Sequence, residues 1–198
     1  MRFGIVQLKE NRLMAWALFF YWGWLALVAG RAWGQNINTP ENFPDPKFRS
    51  CVEQFMGVKT GGEFSAAQAA IKSGTLFCLN VGIESVSGLQ FFTALTSLIC
   101  YDNQLTSLDV SKNAALQQLH CFNNQLTRLD VSQNTALTSL DCSNNQLTSI
   151  AGFVANSKLG GKIDVRNNKL DCGDWEDVKI LRTRIGEPVF ETISGVIY

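Results

Sequence analysis

Three segments of this 198-residue chain repeat nearly letter for letter: LTSLICYDNQLTSLDVSKNAA from Leu95, LQQLHCFNNQLTRLDVSQNTA from Leu116 and LTSLDCSNNQLTSIAGF from Leu137. The starts lie 21 residues apart. Equivalent positions carry equivalent chemistry: Leu98, Leu119 and Leu140; Cys100, Cys121 and Cys142; Asn103, Asn124 and Asn145; Leu105, Leu126 and Leu147. A period of this length specifies a solenoid, because each unit buries its apolar face only against its neighbours. A degraded unit from Leu76 keeps Leu76, Cys78, Ile83, Val86 and Leu89 in register, and a last one from Leu159 keeps Ile163, Val165, Asn168 and Leu170. Five turns are expected.

In the segment LxCxx the side chains alternate as in any strand, so Leu98 and Cys100 point inward while Ser97, Ile99 and Tyr101 face out on a concave parallel sheet. Stacked turns then place successive cysteines about 4.8 Å apart in an interior column. Their parallel Cβ vectors lack the convergence of a disulfide, and a linear stack does not converge on a metal ion. No metal and no cofactor are expected. Asn103, Asn124, Asn145 and Asn168 are placed to satisfy backbone groups where the chain leaves each strand. Asp109 and Asp130 stack in an LDVS column, read as a solvated face rather than a cation site. Cys51 and Cys172 fall outside the period, and a Cys51–Cys78 bridge within the N-terminal cap stays open as an alternative.

The flanks differ in character. Arg2, Lys9 and Arg12 precede an apolar run from Met14 to Gly30 and small residues at Ala32 and Gly34. Residues 1–34 therefore read as a secretory signal peptide, with an uncleaved membrane anchor as the competing reading. Residues 35–74 read as a polar leader, flexible up to about Phe43, and a helical cap. One helix begins at Pro46 and closes at Gly57; a second has a Ser65/Gln68 capping box and a left-handed exit at Gly74. Residues 75–170 hold the repeats. Residues 171–198 form a C-terminal cap and tail, with Asp174 as N-cap, Trp175, Val178, Leu181 and Ile185 as an apolar stripe, and a strand-like EPVFETISGVIY.

Without residues 1–34, which hold Arg2, Lys9, Arg12, Arg31 and Glu10, 13 basic and 16 acidic residues remain, a net charge of −3. No basic run survives there, so neither nucleic acid nor an anionic membrane surface is an expected partner. Membrane contact is expected only if the signal segment stays uncleaved.

The unit LxxLxCxxNxLxxLDVSxNTA resembles the bacterial leucine-rich repeat of the internalin type, in particular the internalin J-like subgroup with 21-residue cysteine-ladder repeats. FPDPKFRSCVEQFMG, SAAQAAIKSG and the junction SGLQFFTALTSL are similar to the cap that precedes such repeats. The resemblance spans roughly Phe43 to Leu170. It implies an α/β solenoid with a parallel concave sheet, a helical N-terminal cap and a C-terminal capping helix, and a secreted or surface-displayed bacterial protein. The chain departs from the large adhesive members in having few repeats and no visible wall-anchoring signal.

Function is expected where the repeats differ, at the outward strand positions. One column reads Phe77, Ile99, His120, Asp141 and Asp164; the next reads Leu79, Tyr101, Phe122, Ser143 and Arg166; a third reads Thr75, Ser97, Gln118, Ser139 and Lys162. The first turns should expose aromatic and aliphatic groups and the last should expose charges. Phe77, Ile99, Tyr101, His120, Phe122, Asp141, Asp164 and Arg166 are the candidate contacts for a protein partner, or a glycan. A self-associating structural component of an extracellular layer is the alternative. Catalysis is not expected: His120 is the only histidine, with Asp141 one turn away and no aligned nucleophile.

Overall fold

The computed structural model describes residues 34–185. The signal segment and the strand-like tail read from the sequence lie outside these residues. Contacts divide the chain into residues 1–35 and a second unit from Asn36 onward, and all the elements that follow belong to the second.

Helix α1 (Pro46–Met56) starts at an Asp45 N-cap whose carboxylate accepts from the Lys47 and Phe48 amides, and ends at Gly57, at φ 76°. Proline at the first helical position costs no hydrogen bond there. Helix α2 (Ala66–Ile71) has the expected Ser65/Gln68 capping box, but it stops before Lys72 rather than running to Gly74. Gly74, at φ 119°, instead turns the chain into β1, and its carbonyl accepts from the Thr96 and Ser97 amides.

The five strands β1 (Thr75–Phe77), β2 (Ser97–Ile99), β3 (Gln118–His120), β4 (Ser139–Asp141) and β5 (Lys162–Asp164) form one parallel sheet in sequence order. Leu76, Leu98, Leu119, Leu140 and Ile163 pair in register and are buried. A short helix α3 (Ala151–Ala155) occupies the connection to β5, and α4 (Trp175–Ile185) follows the last turn. The 22-residue spacing from Leu137 to Leu159 is where α3 fits, and its Phe153 is fully buried.

Two asparagine columns hold the turns together. In the expected one, Asn124 Nδ2 donates to the Cys100 and Cys121 carbonyls at 3.0 and 3.1 Å, while its Oδ1 accepts the Leu105 amide at 3.0 Å. Asn103, Asn145 and Asn168 repeat the pattern. The second column is Asn113, Asn134 and Asn156, each donating to two carbonyls of the turn before it. Its 21- and 22-residue spacing was present in the sequence, but the reading centred on the strand side of the repeat. Asp102, Asn123, Asn144 and Asn167 precede the first column at φ between 51° and 57°. Short polar side chains tolerate that left-handed conformation best after glycine.

The ends depart from expectation in two places. The leader is tied down: Asn36 bridges to Ser65, the Ile37 amide donates to the Phe64 carbonyl, Asn38 Nδ2 donates to Glu53, and Phe43 is fully buried. Phe43 sits among Phe48, Phe64, Phe91 and Phe92 at centroid distances of 5.9 to 6.4 Å. An aromatic cluster of this size anchors the polar segment before it. Asp174, read as the N-cap of α4, spends its carboxylate elsewhere, accepting the Ile150 and Asp171 amides. It ties the last cap to the preceding turn.

Candidate functional site

The strand pairing brings the predicted columns together as drawn from the sequence. Phe77, Ile99, His120, Asp141 and Asp164 pair in register, as do Thr75, Ser97, Gln118, Ser139 and Lys162. The Leu79, Tyr101, Phe122, Ser143 and Arg166 positions follow each strand, joined by amide-to-carbonyl bonds such as Asn80 to Tyr101 and Asp102 to Phe122.

Exposure along these columns is less even than predicted. Phe77 is 60% exposed, whereas Ile99 is only 9% exposed although it stands outside the core cluster. Tyr101 and Phe122 are half-buried and lie face to face, with centroids 4.3 Å apart and planes 11° from parallel. Parallel strands in register leave two neighbouring aromatic side chains little choice but to stack.

The charged end is not freely exposed either. Asp164 is 4% exposed and is held by Arg166, whose Nη2 lies 2.7 Å from Oδ2 and whose Nε donates to Oδ1 at 3.0 Å. A buried carboxylate needs such a partner. Asp141 Oδ1 accepts from the Ser143 amide and hydroxyl at 3.1 and 2.7 Å, and Ser143 is buried. Lys162 remains exposed beside them. Both aspartates therefore shape the backbone that follows β4 and β5 as well as the face.

Between the two ends, His120 Nε2 lies 3.2 Å from Ser139 Oγ. The expectation that no nucleophile aligns with His120 is thus corrected: register pairs Ser139 with Gln118, two positions before His120 on the same face, and the imidazole reaches diagonally across. Among the described residues no carboxylate is hydrogen-bonded to the ring, since Asp141 is turned to Ser143. The His120–Ser139 contact thus lacks the orienting carboxylate of a nucleophilic triad.

Beneath the face, Cys78, Cys100, Cys121 and Cys142 are buried free thiols. Burial pushes the Cys100 thiol up to about 12 and raises those of Cys121 and Cys142 as well. Cys100, Cys121 and Cys142 therefore remain protonated and unreactive at neutral pH. Val165 takes the same place in the last turn, 3% exposed. Asp109 and Asp130 are exposed, and each accepts the amide two residues on, Ser111 at 2.9 Å and Ser132 at 2.8 Å.

Known proteins share this arrangement. Residues 114–156 match the family model described as leucine rich repeats (2 copies). Over 80 residues, 40% of this chain, the sequence is 39% identical to internalin J of Listeria monocytogenes serotype 4b (strain F2365), but the match spans only 9% of that protein. Among solved structures, the functional domain of InlJ from Listeria monocytogenes, described as including a cysteine ladder, aligns with a TM-score of 0.60 at 28% identity. That alignment covers 83% of this chain and 40% of the other. The repeats, the parallel sheet and the column of buried cysteines give this chain a leucine-rich repeat fold, similar in sequence and structure to that of internalin J.

Proposed function

We propose that the chain is an exported recognition module that binds a protein partner through the outward face of its sheet. The observation that carries this reading is the aromatic group of the first turns, exposed Phe77 and the stacked Tyr101–Phe122 pair, with His120 on the same face and Lys162 and the Arg166–Asp164 ion pair at the sheet's last strand. Preordered aromatic side chains with a polar surround lose little entropy on binding and suit an interface centre. Export rests on the basic and apolar N-terminal segment. Internalin-type relatives support the binding role without naming a ligand for this chain.

Replacing Tyr101 and Phe122 together by Ala tests it. Parallel capture with the parent, the Tyr101→Ala/Phe122→Ala variant and a Lys112→Ala/Gln133→Ala variant, altered at exposed positions away from the strands, should show partner loss only in the first variant. Truncating aromatic anchors typically costs about 2 kcal/mol or more each, so capture should fall at least 30-fold. Equal capture by all three proteins, each with an unchanged circular dichroism spectrum, refutes the assignment. Concentration-dependent assembly in light scattering, unaffected by the aromatic replacements, would support the self-associating structural role instead.

A further inference from the structure

A further cysteine lies at the N-terminal end of the cysteine column. Helix α1 packs against β1, and its buried face carries Phe48 and Val52, with Cys51 partly buried against the same core. Cys51 is thereby packed from the helix against the core that holds Cys78, where the two thiols interact. One difference from the other rungs matters. Cys100, Cys121 and Cys142 follow parallel strands in register, which keeps their Cβ vectors parallel, whereas Cys51 projects from a helix and is free of that constraint. The geometric objection to a bridge between neighbouring rungs does not hold at this junction.

We propose that Cys51 and Cys78 are a redox pair that closes into a disulfide, covalently joining the helical cap to the first turn while the deeper rungs stay reduced.

The chemistry of the two thiols differs in the sense required. The hydrogen bond from Cys78 holds the Cys51 thiol below its usual range, against an opposing push from burial. The same bond and burial push Cys78 upward. Cys51 is also the partly exposed member, so it meets the oxidant first. Its thiolate attacks one sulfur of a small-molecule disulfide such as oxidised glutathione, forming a mixed disulfide and releasing one glutathione thiolate. That thiolate takes the Cys78 proton. Cys78 sulfur then attacks the Cys51 sulfur, the Cys51–Cys78 bond forms, and the second glutathione leaves as thiolate. Two protein thiols are oxidised and one disulfide is reduced to two thiols.

The test uses the full chain, incubated with oxidised glutathione or with reductant, quenched with an alkylating reagent and digested without reduction. Mass spectrometry should find the Cys51 and Cys78 peptides linked after oxidation. Cys100, Cys121 and Cys142 should be alkylated only when denaturant is present. A glutathione adduct persisting on Cys51, linkage of Cys51 to Cys172 or to a second chain, or both thiols still free would each overturn the proposal. Thermal unfolding gives a second readout. Closing this loop of about 27 residues should raise the parent's Tm by roughly 5 to 15 °C on oxidation. Cys51→Ser, at a partly exposed position, should match the reduced parent and show no response to oxidant. A Cys51→Ser protein that gains the same stability on oxidation would assign the effect to other cysteines.

Discussion

Asn124 and Asn123 are adjacent, identical in type and assigned opposite importance by the structure, so a pair of substitutions tests the account of what holds the turns together. Asn124 is 8% exposed. Its amide donates to the carbonyls of Cys100, Cys121 and Phe122, and its Oδ1 accepts the buried Leu105 amide. In Asn124→Ala the carbonyls are not all abandoned. Cys100 keeps the bond from Asn103, Cys121 keeps the one from Asn145, and Phe122 keeps the Asp102 amide. The Leu105 N–H has no such reserve. Leaving one buried donor unpaired costs about 1–3 kcal/mol. Adding about 1 kcal/mol for weakened carbonyl solvation gives a loss of roughly 2–4 kcal/mol, or about 5–15 °C in Tm.

Asn123, by contrast, is exposed, has φ 53°, and its side chain bonds only to the exposed Asp102 carboxylate, while its backbone bonds do not depend on the side chain. Asn123→Gly relieves the left-handed backbone and should change stability by no more than about 0.5 kcal/mol. Urea unfolding followed by far-ultraviolet circular dichroism measures both, and the slopes should remain equal to the parent's so that midpoints compare directly. A loss below about 1 kcal/mol for Asn124→Ala, or equal losses for the two variants, would refute the reasoning that buried backbone satisfaction dominates at this column.

Other outcomes follow from the caps and the last turn. Burial pulls the Asp45 carboxyl upward, but the amides of Glu84, Phe48, Ser85 and Lys47 outweigh it and hold it below its ordinary value. A carboxyl lowered in the folded state stabilises fully above its unfolded value of about 3.9 and loses that contribution as pH falls through the folded value. Asp45→Asn should therefore be less stable than the parent at neutral pH, with the gap narrowing below about pH 4 in parallel urea titrations; a gap independent of pH contradicts this. Gly161, at φ 84°, has no room for a side chain because a Cβ would overlap the Thr138 carbonyl oxygen, which accepts the Lys162 amide at 3.1 Å as β5 begins. Gly161→Ala should lose about 2 kcal/mol or more while Gly160→Ala, with its nearest contact at 3.9 Å, stays near the parent; equal thermal midpoints would remove the steric argument.

Much of this fold is legible in the letters because a solenoid repeats its own evidence. Leu98, Cys100 and Asn103 each recur at a fixed interval, and recurrence distinguishes an inward position from an accidental leucine. The register of all five strands, and hence the composition of each outward column, follows directly from the period. What the period does not encode is what single residues do at the ends. Asp174 carries the signature of a helix N-cap, yet Ile150 and Asp171 claim its carboxylate; no repeat exists there to reveal the competition. The leader reads as mobile from its prolines and polar residues, but Phe43 finds four aromatic partners scattered between positions 48 and 92. Such long-range packing overrides local composition. On the face, Asp141 and Asp164 read as exposed charges because alternation points them outward. Alternation gives direction and not accessibility: Ser143 and Arg166, two residues on, fold back onto them.

The same stacking that makes the core legible also limits what the aromatic pair can recognise. Strands about 4.8 Å apart bring Tyr101 and Phe122 into contact along their faces, at 4.3 Å between centroids, so each ring uses one face on the other. The group is left with its outward edges and the outer face of each ring. Ring edges carry the positive part of the aromatic quadrupole, and they pack against aliphatic groups and accept the approach of carbonyl oxygens. The period thus does more than set the scaffold. By fixing the distance between outward side chains it turns two aromatic residues into one rigid unit, which the proposed binding face would present without further ordering.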